Sequence, residues 1–148
     1  MGSGRAVRPL QVKGKESAMT ALSLRDPQFG RRFAEAWIEN WNRRDIPAIL
    51  SHFIDDCRFE SPMTQAVVGA SYIADKTALE RYWRAAVDKI AVLRFELEDA
   101  GWDPVRRILL VRYVAQLDER RLHACEVMVF NTAGQQTAGY AYYGRPDG

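Results

Sequence analysis

Long apolar runs are missing from this 148-residue chain: no stretch approaches the ~20 consecutive apolar residues of a membrane-spanning helix. Cysteine is scarce. Cys57 and Cys125 are the only two, too few and too far apart for a disulfide framework or a metal-ligand spacing, and each reads as a small buried hydrophobe. Histidine is equally rare: His52 and His123 stand alone, without the HExxH or facing-His pattern of a metal site, so no metal and no cofactor is expected. The N-terminus has no apolar h-region, which excludes a secretory signal and makes the cytoplasm the expected address. A clustered basic face is missing too. The first 18 residues carry Arg5, Arg8, Lys13 and Lys15 against Glu16, so of the net +2 the remainder holds −1. Nucleic acid is therefore not an expected partner, and neither is a membrane.

What is present is the apolar mass of one domain: 47% of residues are hydrophobic and 27% charged. Residues 1–24 have no sustained period and read as a disordered tail. Met1-Gly2-Ser3-Gly4 resembles a cloning remnant, with Met19 as a native start. Residues 25–148 read as a single domain. Asp26-Pro27 is a helix start, and Phe29, Phe33, Ala36, Trp37 and Trp41 follow at helical spacing to about Arg44. Asp45 caps a shorter helix whose apolar side is Ile46, Ile49, Leu50 and Phe53, broken by Asp55-Asp56. Cys57 to Ser61 reads as a short strand, and Met63 to Ala74 as a loop. The next helix starts at Asp75, or at Thr77 with Glu80 closing a capping box, and buries Leu79, Tyr82, Trp83, Ala86, Val87 and Ile90. From Leu93 the period switches to two. Gly101 to Pro104 is a turn, and strands follow over 108–117, 122–130 and 137–143. Helices first and an antiparallel meander afterwards give an α+β fold.

One residue breaks the pattern. From Leu122 to Phe130 every even position is apolar except Glu126, and a lone carboxyl on an apolar strand face is costly unless neutral, paired or useful. A two-residue turn at Asp118-Glu119 pairs Leu117 with Arg120. Val111 then lies opposite Glu126, Leu109 opposite Met128 and Tyr113 opposite Ala124, which unites the apolar faces. A three-residue turn would instead set Arg112 opposite Glu126 as a salt bridge. The other face, with Leu110, Val114, Cys125, Val127 and Val129 among Arg112, Gln116, Arg121 and His123, suits a homodimer interface.

The order of elements, with Trp41-Asn42-Arg43-Arg44-Asp45, the run Phe53 to Pro62, Ala78-Leu79-Glu80-Arg81-Tyr82-Trp83 and Phe130-Asn131-Thr132-Ala133-Gly134, resembles the nuclear transport factor 2-like superfamily in its SnoaL-like and ketosteroid-isomerase-like branch. The resemblance covers roughly 29–144. It implies a cone in which a curved antiparallel sheet wraps helices around a deep apolar cavity, commonly in a homodimer. Carried over by position, it sets Ser61 where ketosteroid isomerases keep a general-base aspartate and Trp37 where they keep an oxyanion-hole tyrosine. Glu126 falls where they keep a protonated carboxylic acid. A serine hydroxyl cannot act as that base, so steroid isomerisation by that route is not expected. Acid sets of the epoxide-hydrolase-like members and the two histidines of scytalone dehydratases have no counterpart here.

The candidate catalytic residues are thus Glu126, as an acid, and more weakly Ser61. The expected ligand pocket comprises Trp37, Trp41, Phe59, Met63, Tyr82, Trp83, Val111, Tyr113, Met128 and Tyr143. Three functions stay open. The chain is a cyclase, isomerase or dehydratase acting on a hydrophobic carbonyl compound, a non-catalytic binder of a small hydrophobic ligand, or an interaction module whose own side chains fill the cavity.

Overall fold

The structure, a computed structural model, describes residues 23–146. The expected tail lies outside the described residues but for Ser23 and Leu24, and the Leu24 carbonyl accepts the Trp102 indole N–H at 2.8 Å. Helix α1 (Gln28–Asn42) follows Pro27, and Asp26 Oδ1 accepts the Gln28 N–H at 2.8 Å, satisfying one of the orphan donors of its first turn. Its apolar stripe, Phe29, Phe33, Ala36, Trp37 and Trp41, is buried as the spacing predicts. Gly30 lies on the same face because nothing larger fits: a Cβ there would stand 2.5 Å from Trp102 Cβ.

Asp45 caps α2 (Ile46–Leu50) through the Ala48 N–H, but Phe53 belongs to the next element. Strand β1 (Phe53–Glu60) starts earlier than the Asp55-Asp56 break implied. Both aspartates fall in the register shift between Phe53 and Arg58 and point outward, so the strand bulges around them instead of ending. The expected loop after β1 contains a one-turn helix, α3 (Thr64–Val68), closed by Gly69 at φ 74°. The buried Thr64 hydroxyl donates towards the Ser61 and Ser71 carbonyls and folds the segment on itself. Helix α4 (Lys76–Asp88) takes the earlier of its two possible starts, with Asp75 Oδ1 accepting the Ala78 N–H at 2.7 Å.

Four long strands follow: β2 (Leu93–Asp103), β3 (Ile108–Leu117), β4 (Arg120–Phe130) and β5 (Gln136–Pro146). The turn expected at Gly101 is displaced to the residues after Asp103, because β2 absorbs a register shift between Leu97 and Asp99 and continues. The sheet order is β1-β5-β4-β3-β2. Neighbours among β2 to β5 are antiparallel, and β1 joins the edge of β5 in parallel. The β3–β4 register is that of the two-residue turn, Leu117 with Arg120 and Val111 with Glu126. Asp118 takes φ 57°, a left-handed conformation aspartate tolerates better than most side chains.

The curved sheet and the helices give the α+β cone of the nuclear transport factor 2-like fold. Its core lies between α1 and the inward sheet face. At one end Phe29, Phe33, Trp102 and Phe130 pack together, Phe130 edge to face on the other three at 4.9–5.7 Å and Phe29 tilted on Trp102 at 4.8 Å. Trp102 contributes to this plug although the sequence places it in a turn. Among the described residues no helix is long and apolar enough to cross a membrane.

Candidate functional site

At the other end the packing stops short and leaves a cavity of about 530 Å³. It runs from the β3–β4 turn and the end of α4 inward to Glu126. Its walls are aromatic: Trp37 and Trp41 from α1, Phe59 from β1, Tyr82 and Trp83 from α4, Phe95 from β2, Tyr113 from β3 and Tyr143 from β5. Neighbouring rings meet edge to face or tilted, Trp41 on Trp83 at 5.2 Å, Phe59 on Trp83 at 5.3 Å and Trp37 on Tyr113 at 5.2 Å. These contacts hold the wall rigid without filling the space. Charge is confined to the mouth, where Lys89, Asp118, Glu119 and Arg120 stand. There the Asp118 carboxylate accepts the Ala91 and Val92 N–H groups at 2.9 and 2.8 Å, tying the α4–β2 loop to the β3–β4 turn.

Glu126 lines this cavity and is only 4% exposed. It reaches that place because β4 alternates and because the neighbouring strand has no side chain at Gly139. A Cβ there would lie 3.2 Å from Glu126 Oε2 and from Gln136 Nε2, and 3.3 Å from Phe59. No ion pair or hydrogen bond holds the carboxyl among the described residues. Burial without compensation pushes its pKa up to about 8, so at neutral pH it is mostly the neutral acid. The alternative of a structural ion pair with Arg112 is not realised. Arg112 lies on the outer face, 3.8 Å from Glu98.

Tyrosine hydroxyls surround the acid. Burial raises the pKa of Tyr82, Tyr113 and Tyr143, and the nearby Glu126 adds to each shift. The Tyr113 hydroxyl lies beside that of Tyr143, and the Ser61 hydroxyl beside that of Tyr82. Each phenol carries an O–H that can donate to a ligand. Among the described residues the inner end of the cavity is rich in hydroxyls and holds no cationic side chain.

Of the residues the sequence singles out, Trp37, Trp41, Phe59, Ser61, Met63, Tyr82, Trp83, Tyr113, Glu126 and Tyr143 converge on this cavity. Val111 and Met128 do not. They share the inward face but lie fully buried, beyond or behind Glu126 in the packed half of the core, so their assignment to the pocket is corrected. The sequence reading missed Phe95 and the rim residues, and it gave the tyrosine hydroxyls no part. Strand parity carried the missing signal: Tyr143 pairs with Ala124, one step along the face from Glu126. Among the described residues no group of three or more His, Cys, Asp or Glu side chains could hold a metal ion.

A family model described as a SnoaL-like domain matches residues 34–138. No curated protein matches the chain. Among solved structures, a SnoaL-like protein of unknown function from Burkholderia thailandensis is 28% identical, with a TM-score of 0.71 over 81% of this chain and 98% of that one. The epoxide hydrolase/cyclase-like enzyme SalBIII, which acts in pyran ring formation in the polyether salinomycin, is 17% identical, with a TM-score of 0.63 over 80% of this chain and 93% of that one. A candidate ketosteroid isomerase from Kribbella flavida is 14% identical, with a TM-score of 0.62 over 78% of each chain. The last two likenesses are of fold alone.

Proposed function

This chain belongs to the SnoaL-like family, and on that premise we propose that it is a small-molecule enzyme in which Glu126 acts as a proton donor to a hydrophobic carbonyl compound. The observation that carries this reading is a buried carboxyl without an ion-pair partner among the described residues, lining an aromatic cavity beside the hydroxyls of Tyr82 and Tyr143. A ligand oxygen at the inner end would accept from Glu126 and from one of these hydroxyls. As negative charge builds on that oxygen, the Glu126 proton moves onto it, and donors fixed in a low-dielectric site stabilise the change without reorganising. This chemistry calls on no cofactor or metal.

Among the described residues the inner end offers no base besides Glu126 itself, which in this reading holds the proton it donates, since Ser61 has only a hydroxyl. The reaction class that fits is one in which the substrate brings its own nucleophile, such as closure of a ring by an internal hydroxyl. The same lack supports the second reading, a non-catalytic binder using the same cavity. In either reading the protein is a homodimer through its outer sheet face. Its setting is the cytoplasm, where free thiols such as Cys57 and Cys125 persist.

The test is Glu126→Gln assayed against a panel of hydrophobic ketones and hydroxy-ketones. Turnover lost by 100-fold or more, with ligand binding retained, is the expected result. Turnover that survives the substitution removes the acid role, and binding without turnover in the unaltered protein leaves the binder.

A further inference from the structure

We propose that the same cavity also takes a hydrophobic ammonium ion, seated on the Glu126 carboxylate between the aromatic walls. The inference shares the cavity with the acid role but uses the opposite protonation state of the carboxyl. Glu126 is 4% exposed and has no counter-charge among the described residues. The groups around it are the hydroxyls of Tyr82 from α4, Tyr113 from β3 and Tyr143 from β5, with Ser61 after β1 and Trp37 from α1; the Cys125 thiol, next along β4, is on the opposite face of the sheet. None is a cation. The nearest basic side chains on the wall are Lys89 and Arg120 at the mouth, in the company of Asp118 and Glu119.

A carboxyl in such a place has two ways to meet a ligand. It keeps its proton and donates to a neutral oxygen, or it surrenders the proton to solvent and pairs with a cation that enters. The second exchange is balanced: one ammonium ion goes in and one proton comes out, so the net charge of the cavity stays at zero. Indole and phenol faces attract the rest of the cation's charge, most strongly where water is excluded. An arginine or lysine at the inner end would have forbidden this exchange, and the sequence places neither there.

The probes are benzyltrimethylammonium, which can neither donate a proton nor accept a hydrogen bond, its uncharged isostere neopentylbenzene, and the neutral ketone 2-tetralone. Binding to the full chain is followed by tryptophan fluorescence and calorimetry between pH 6 and 8. With the carboxyl titrating at about 8, the affinity for the cation should rise about 50-fold over that range, with proton release on binding. Neopentylbenzene should show no pH dependence. Glu126→Gln should bind the cation at least tenfold more weakly at pH 8, without the pH dependence, and still bind neopentylbenzene. Cation affinity indifferent to pH or to the substitution overturns the proposal, as does binding of the hydrocarbon alone or of neither probe. 2-Tetralone, followed from pH 6 to 10, separates the two readings, because a ligand of the neutral acid weakens as pH rises through 8. If the ketone lacks that trend while the cation keeps its own, the acid role falls alone.

Discussion

Glu126 costs this protein stability, and the size of the cost follows from its surroundings. Its carboxyl is pushed up to about 8 in the fold, against the ordinary glutamate value of ~4.3 in the unfolded chain. The unfolded state therefore sheds its proton first as pH rises. Stability falls progressively from the unfolded pKa up to the folded one and levels off above it. At neutral pH the penalty is about 3 kcal/mol, an order-of-magnitude figure. Glu126→Gln removes the titration while keeping the shape. Its melting temperature should match the unaltered protein near pH 4 and exceed it increasingly up to pH 8. Parallel melting curves across that range would show that the carboxyl is paired or hydrated. Glu126 was legible as an anomaly because a period of two makes any inward carboxyl visible. The tyrosines around it were legible as pocket residues but their hydroxyls were not, since Tyr82 and Tyr113 fit an apolar stripe by their rings and periodicity is blind to where a hydroxyl points.

Whole elements were legible wherever local patterning decides them. The β3–β4 hairpin was readable to the residue because only one register puts Leu109, Val111 and Tyr113 on the face of Ala124 and Met128. Elements escaped where a tertiary contact overrides the local signal. Asp55 and Asp56 look like a break but sit in a bulge held by pairing to β5. Gly101 looks like a turn but pairs with Leu110 in mid-strand. A different glycine governs how α1 meets β2. At Gly30 a methyl group would meet Trp102 Cβ at 2.5 Å and Leu109 Cδ1 at 3.0 Å, and a Cβ cannot swing aside without its backbone. Gly30→Ala should thus push α1 off the sheet and cost about 3 kcal/mol, at the upper end for overpacking, with a fall in the denaturant midpoint as the readout. Stability equal to the unaltered protein would mean that the helix slides at no cost.

At the scale of the molecule, the outer sheet face remains to be covered. Leu110 and Tyr142 are 47% and 57% exposed there, with Val127, Val129 and Cys125 half-buried between them, whereas Val114 is already buried within one chain. Light scattering should report twice the 16.9 kDa chain mass, and Leu110→Asp should halve it, because a carboxylate at the centre of an apolar interface is left unpaired. A monomer in the unaltered protein at tens of micromolar would remove the interface. The order of the strands across the sheet bears on how the molecule is made. Among the described residues β1 has its ladder only with β5, Phe53 against Gln136 and Glu60 against Tyr140. During vectorial synthesis β1 leaves the ribosome before β5 and must therefore wait for it, and until then the aromatic residues of α1, β1 and α4 have no complete sheet to lie on. Closure over so long a loop is slow and leaves an apolar intermediate exposed meanwhile. A ribosome stalled before Gln136 would carry a nascent chain that a chaperone recognises, and the cavity would come into being only once β5 has emerged.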